Sequence, residues 1–224
     1  MNRLLDILLF PKDLYKRITD RKPSLYAGII FVGLADLGFV LYKNFNELFT
    51  NKTQGDLIFN IILSILFVIV IGIIDVFFFS LPLFDLFKRF KKDKNLPQNR
   101  GITDIKDSGI KDRDIRDKGL LIKLIKVYTV THFLILPAEI VVFLIYRNII
   151  NNTGIVTWVM YISVIIDLLI PIWFSAAISR GVNVLYDFKP IFKRLAFVII
   201  FVWNHLLAYA FSYMIDKWML VLFR

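Results

Sequence analysis

Cysteine is missing from this 224-residue chain, so no disulfide, zinc–thiolate centre or cysteine nucleophile can be built from it. Histidine occurs only as His132 and His205, too few for a His-rich metal centre, and no metal ligand set is assigned. Glycine is scarce, at 10 residues. The phosphate-cradling glycine loop, the H-E-x-x-H zinc motif and the G-x-S-x-G elbow are all absent. No catalytic residue and no cofactor are therefore expected. Charge is also lacking, but only locally: five long stretches are almost free of it.

Those stretches are Ser24–Tyr42, Leu57–Phe84, Val127–Tyr146, Ile155–Ser179 and Leu195–Ile215, of 19, 28, 20, 25 and 21 residues. At about 1.5 Å rise per residue, each is long enough to cross a hydrocarbon core roughly 30 Å thick. A chain that is 58% hydrophobic with mean hydropathy +0.67 is far from the composition of an ordinary soluble domain. The expected fold is an all-α integral membrane bundle of five transmembrane helices. The segments outside the stretches hold 6, 2, 13, 1, 4 and 2 Lys plus Arg, in order. Basic residues beside a membrane are retained on the cytoplasmic side. The alternation predicts a cytoplasmic N-terminus, an outer C-terminus and a multi-pass protein of the cell membrane. The net charge of +10 is explained by this retention and by anionic lipid, so no nucleic-acid partner is expected.

Residues 1–22 read as an N-terminal interfacial amphipathic segment, followed by one membrane domain over 23–224. Leu4, Leu5, Ile7, Leu8 and Phe10 form an apolar face, and Pro11 suits the start of a second short helix with Leu14, Tyr15 and Ile18 on one side. Asp6 and Pro11 interrupt any signal-peptide core. The charged segment at 88–118 has mixed signs and a loose repeat, Asp104-Ile105-Lys106-Asp107 and Asp114-Ile115-Arg116-Asp117. A solvated, partly disordered cytoplasmic loop is expected there. The aspartates do not match the calcium-loop spacing.

The polar residues inside the stretches form the candidate site: Asp36, Asp75, His132, Glu139, Asp167, Asn204 and His205. Counted from the start of each stretch, Asp36, Glu139 and Asp167 fall near the midplane, with Asn204 and His205 at similar depth. Asp75 falls closer to the cytoplasmic side and His132 clearly so. An isolated ionised acid at the bilayer centre costs a few kcal/mol. These acids must be protonated, paired or hydrated. Interhelical hydrogen bonding is the favoured role, at about 0.5–2 kcal/mol per bond. An ion pathway is the alternative. Pro82, Pro137 and Pro171 are expected helix kinks, each displacing the carbonyl four residues earlier; for Pro82 that is the carbonyl of Phe78.

The run Leu5-Asp6-Ile7-Leu8-Leu9-Phe10-Pro11-Lys12-Asp13-Leu14-Tyr15-Lys16-Arg17-Ile18 resembles the opening of bacterial Yip-domain membrane proteins. Tyr128 to Pro137, and Trp158 followed by Ser179-Arg180, extend the similarity, while the long charged segment departs from it. The resemblance implies a helical bundle without a catalytic centre. It also implies a role as an accessory subunit beside other membrane proteins, including ABC-type export systems. The expected function is a non-enzymatic membrane scaffold whose partners are lipids, other membrane proteins or further copies of itself. The alternative is a small proton- or cation-coupled transporter or channel using the midplane acids.

The topology is directly testable because no native thiol interferes. Ser108→Cys is expected to react with an impermeant thiol reagent only from the cytoplasmic side, and Thr53→Cys only from the outside. Labelling of both from one side contradicts the five-span reading.

Overall fold

Five helices in the computed structural model are long and apolar enough to cross a membrane. The structure describes residue 6 and residues 9–92, 107–151 and 156–223. Every described element is helical. A short helix α1 (Lys12–Lys16) precedes α2 (Pro23–Lys43) and a five-residue turn of helix, α3 (Phe45–Phe49). The long helices α4 (Gln54–Lys92), α5 (Asp107–Asn151), α6 (Val156–Tyr186) and α7 (Pro190–Met214) follow. A π-helical turn (Ile215–Met219) and a 3-10 turn (Leu220–Phe223) close the chain.

Proline opens two of the helices, at Pro23 and Pro190, where its fixed φ suits the first turn and no amide partner is lost. The described residues of the expected membrane stretches all lie in helices, and most of these helices run further. The charged segment at 88–118 is not a loop throughout: α4 continues to Lys92 and α5 begins at Asp107. Two physical reasons account for this. Acidic residues favour a helix N-terminus, and mixed charges are compatible with a solvated helical surface. The two extensions are tied by an ion pair between Lys88 and Asp117. Residues 93–106 lie outside the described residues.

The tightest packing is between α2 and α4. A Cβ on Gly33 would lie 1.9 Å from the Val68 carbonyl oxygen, and one on Gly72 would lie 2.2 Å from the Ile29 carbonyl oxygen. The two backbones touch, and no side chain fits between them. Close approach at small residues is how membrane helices gain packing energy, since lipid removes the hydrophobic drive between them. Around this crossing the core is apolar and aromatic: Val32, Val76, Phe79, Tyr128, Ile135 and Ile178 are fully buried or nearly so. Near the C-terminal ends of α4 and α6 and the start of α7, Phe87, Tyr186 and Phe188 form a ring cluster with centroids 5.3–5.7 Å apart. Such aromatic pairs stabilise by about 0.5–1.5 kcal/mol beyond their burial. The outer faces carry Ile62, Ile65, Leu66, Leu168 and Leu206 in the open, as lipid contact requires.

Each helix continues through its proline, at Pro82, Pro137 and Pro171. The Phe78 carbonyl, which Pro82 displaces, finds a donor in another helix: the Trp203 indole N–H, at 3.1 Å. A freed backbone acceptor in the apolar layer thus becomes a tie between α4 and α7.

The N-terminal segment differs from the expected lipid-facing face. Leu4, Leu5, Ile7 and Leu8 lie outside the described residues. Tyr15 is completely buried in protein and donates its hydroxyl to the Ala177 carbonyl of α6 at 3.0 Å. Ile18 packs against the same core, while Leu14 is exposed. Burial pushes the Tyr15 hydroxyl up to about 12, so it stays a donor at any ordinary pH. Arg180 of α6 pairs with Asp6. Lys126 of α5 donates to the carbonyls of Thr19, at 2.8 Å, and Arg21, at 2.5 Å. An aromatic polar tip that finds a backbone acceptor in protein gains more than one left at a wet interface, which explains the inward turn of Tyr15.

Gly33→Ala is expected to lower stability in mild detergent by roughly 1–3 kcal/mol or more, because backbone has to move. Gly38, on the same helix with nothing within 4 Å of an added Cβ, serves as the control. Gly38→Ala is expected to be neutral or slightly stabilising. Unfolding midpoints in an SDS titration compare the two.

Candidate functional site

Asp36 stands three residues after Gly33, and Asp75 three residues after Gly72. On a helix, a spacing of three keeps a side chain on nearly the same face. The glycine crossing therefore brings a carboxylate from each helix to one side of the contact. Asp75 is buried, and its Oδ2 accepts a hydrogen bond from the Tyr128 hydroxyl at 2.6 Å. The Tyr128 ring is held flat against Phe79, with centroids 3.8 Å apart and planes at 16°.

His132 lies one helical turn beyond Tyr128 on α5. Its Nδ1 is 3.2 Å from the Tyr128 carbonyl oxygen. A carbonyl can only accept, so this bond puts the proton on Nδ1 and leaves the Nε2 lone pair available. The ring is gripped edge-on by Tyr128, at 4.3 Å, and Phe174, at 4.5 Å. One ligating atom each from Asp36, Asp75 and His132 lies within 4.8 Å of the other two. Asp36 Oδ2 is shielded from solvent and has no hydrogen-bond partner among the described residues.

The three side chains line a cavity of about 560 Å³ between the helices. Glu139, two turns beyond His132, lines it as well. Asn204 and His205 reach it from α7, and Pro171 from α6. No Lys or Arg is among the described lining residues. His205 and Glu139 share the cavity, but no hydrogen bond joins them among the described residues. The Asp167 backbone lies in α6, while its side chain lies outside the described ones.

Sequence reasoning found six of these lining groups and missed three features. It placed His132 well away from the level of Asp36, because it counted depth from Val127, whereas α5 starts at Asp107 and carries His132 to the crossing. It read Tyr128 only as part of a family resemblance, although an aromatic hydroxyl one turn before a buried histidine is a usable signal. It left Asp216 beyond the last stretch. The π-helical turn keeps Asp216 in the wall of the cavity, and such turns often accompany functional sites.

No family model matches this chain, and no curated protein or solved structure matches it either. The site is therefore interpreted from its own chemistry. Two carboxylates and an imidazole meet between the helices with no Lys or Arg among the described lining residues. Two like charges at this distance repel strongly unless a proton or cation lies between them.

Tyr128→Phe keeps the ring stack and removes one hydroxyl. It is expected to lower stability by about 0.5–2 kcal/mol while leaving the helical circular dichroism signal unchanged. Thermal unfolding of the detergent-solubilised variant beside wild type measures this.

Proposed function

We propose that this chain is a small multi-pass protein of the cell membrane that binds a cation in the cavity between its helices and passes it across. The observation that carries the reading is the convergence of Asp36, Asp75 and His132 within 4.8 Å in a cavity whose described lining has no Lys or Arg. Interhelical hydrogen bonding alone explains the Asp75–Tyr128 bond. It does not explain an open volume of about 560 Å³, or a shielded Asp36 oxygen without a partner among the described residues. Glu139, Asn204, His205 and Asp216 extend the polar lining, giving a cation successive oxygen and nitrogen donors. Proline within α4, α5 and α6 is compatible with helices that change shape around a central site. In this reading the N-terminal segment lies on the cytoplasmic side, pinned by Tyr15, and the immediate partners are the lipids that meet the exposed apolar faces.

The accessory-subunit reading comes second. Its support is the resemblance to Yip-domain proteins, carried by the N-terminal run, and the structure adds no observation specific to it.

Liposome flux tests the proposal. Protein is reconstituted with entrapped dyes for protons, monovalent cations and divalent cations, and a gradient of each is applied in turn. At least one cation is expected to cross faster than in empty liposomes. Glu139→Gln is expected to reduce that flux at least tenfold with little change in thermal stability. Absence of flux for every cation, or flux unaltered in a folded Glu139→Gln protein, overturns the proposal.

A further inference from the structure

We infer that Asp36, Asp75 and His132 form a binding site for a first-row divalent transition metal, of the Mn²⁺, Fe²⁺, Co²⁺ and Zn²⁺ class. This deepens the cation reading by naming the ion's chemical class. The site itself does not depend on transport: a metal can be held there without crossing.

The donor set selects the class. Imidazole suits transition metals, whereas Mg²⁺ and Ca²⁺ are held by oxygen ligands alone. Two carboxylates and one neutral imidazole neutralise a divalent charge and leave a neutral assembly, which low-dielectric surroundings favour. Monovalent cations would leave one negative charge uncompensated.

The groups around the donors are arranged as those around bound metals are. A ligating histidine commonly donates its other ring N–H to a carbonyl or carboxylate, which fixes tautomer and orientation. His132 does this through Nδ1 to the Tyr128 carbonyl, leaving Nε2 as the donor atom. A ligating carboxylate is commonly hydrogen-bonded through its other oxygen. Asp75 has such a bond from the Tyr128 hydroxyl at 2.6 Å. Tyr128 thus orients two of the three ligands, from its carbonyl and from its hydroxyl. The third, Asp36, presents a shielded oxygen with no hydrogen-bond partner among the described residues. An acceptor left open beside two pre-oriented donors is the independent observation that points to a ligand. One ligand atom from each of the three residues already lies within 4.8 Å of the other two, a spacing that side-chain rotation can close to metal–ligand distances of about 2.0–2.2 Å. Three protein ligands leave further positions for water or Glu139.

Tag-free protein in mild detergent is titrated with Co²⁺, read by visible absorption and by isothermal titration calorimetry. One Co²⁺ per chain is expected, with an imidazole-bearing spectrum and at least tenfold preference over Mg²⁺. Asp36→Asn and His132→Gln, both near-isosteric, are each expected to weaken binding tenfold or more, while Asp13→Asn, an exposed carboxylate outside the cavity, leaves it unchanged. Thermal unfolding verifies that the variants are folded, and Tyr128→Phe, which keeps all three ligands, is expected to weaken binding less than either. The inference is overturned by absence of stoichiometric Co²⁺ binding, by binding equal in folded Asp36→Asn and wild type, or by binding lost in His205→Gln and kept in His132→Gln. Flux of another cation without Co²⁺ binding removes this site and leaves the transport reading. Co²⁺ binding without any flux keeps the site and removes transport.

Discussion

Gly33 and Gly72 let α2 and α4 meet backbone against backbone, and the rest of the site depends on that contact. Any side chain at either position would collide with a carbonyl oxygen of the opposite helix. Lipid offers no hydrophobic drive for helix association, so such packing has to come from close van der Waals approach. Because Asp36 and Asp75 each follow their glycine by three residues, the same contact that joins the helices also pairs the carboxylates. Structure and chemistry are coupled at this point: separating the helices to relieve the charges would sacrifice the packing.

The remaining helices hold this pair in place. α5 supplies Tyr128 and His132 from consecutive turns, with Phe79 and Phe174 restraining the rings. α7 supplies the Trp203 N–H that satisfies the carbonyl opposite Pro82, so a helix interruption becomes an interhelical bond. At the other end of the bundle, the Phe87, Tyr186 and Phe188 cluster and the Tyr15 hydroxyl bond to Ala177 fix how α4, α6 and the N-terminal segment meet. The cavity is thus flanked by aromatic and backbone contacts that join the helices to one another.

The number and type of the long helices was legible because long uncharged runs have one physical solution in a membrane: a helix with its backbone bonds satisfied internally. The identity of most polar lining residues was legible for a related reason, since Asp36, Asp75, Glu139, His132, Asn204 and His205 are conspicuous in apolar runs. Their arrangement was not. Depth counted along a sequence assumes that each helix starts with its apolar run, and α5 starts at Asp107, well before Val127. The charged segment was misjudged because charge pattern alone does not separate a solvated helix from a loop. Tyr15 was assigned to lipid because periodicity shows that a face is apolar without showing what covers it. Glycine spacing relative to the aspartates, Gly33 to Asp36 and Gly72 to Asp75, was present in the sequence. Its meaning required knowing that the two glycines face each other.

The convergence of Asp36 and Asp75 can be measured directly because the chain has no cysteine. The double variant Asp36→Cys, Asp75→Cys is treated in the membrane with dibromobimane, which becomes strongly fluorescent once it bridges two thiols. Bridging is expected in the double variant and in neither single variant. Thiols that each react with a monofunctional bimane yet never bridge would contradict it.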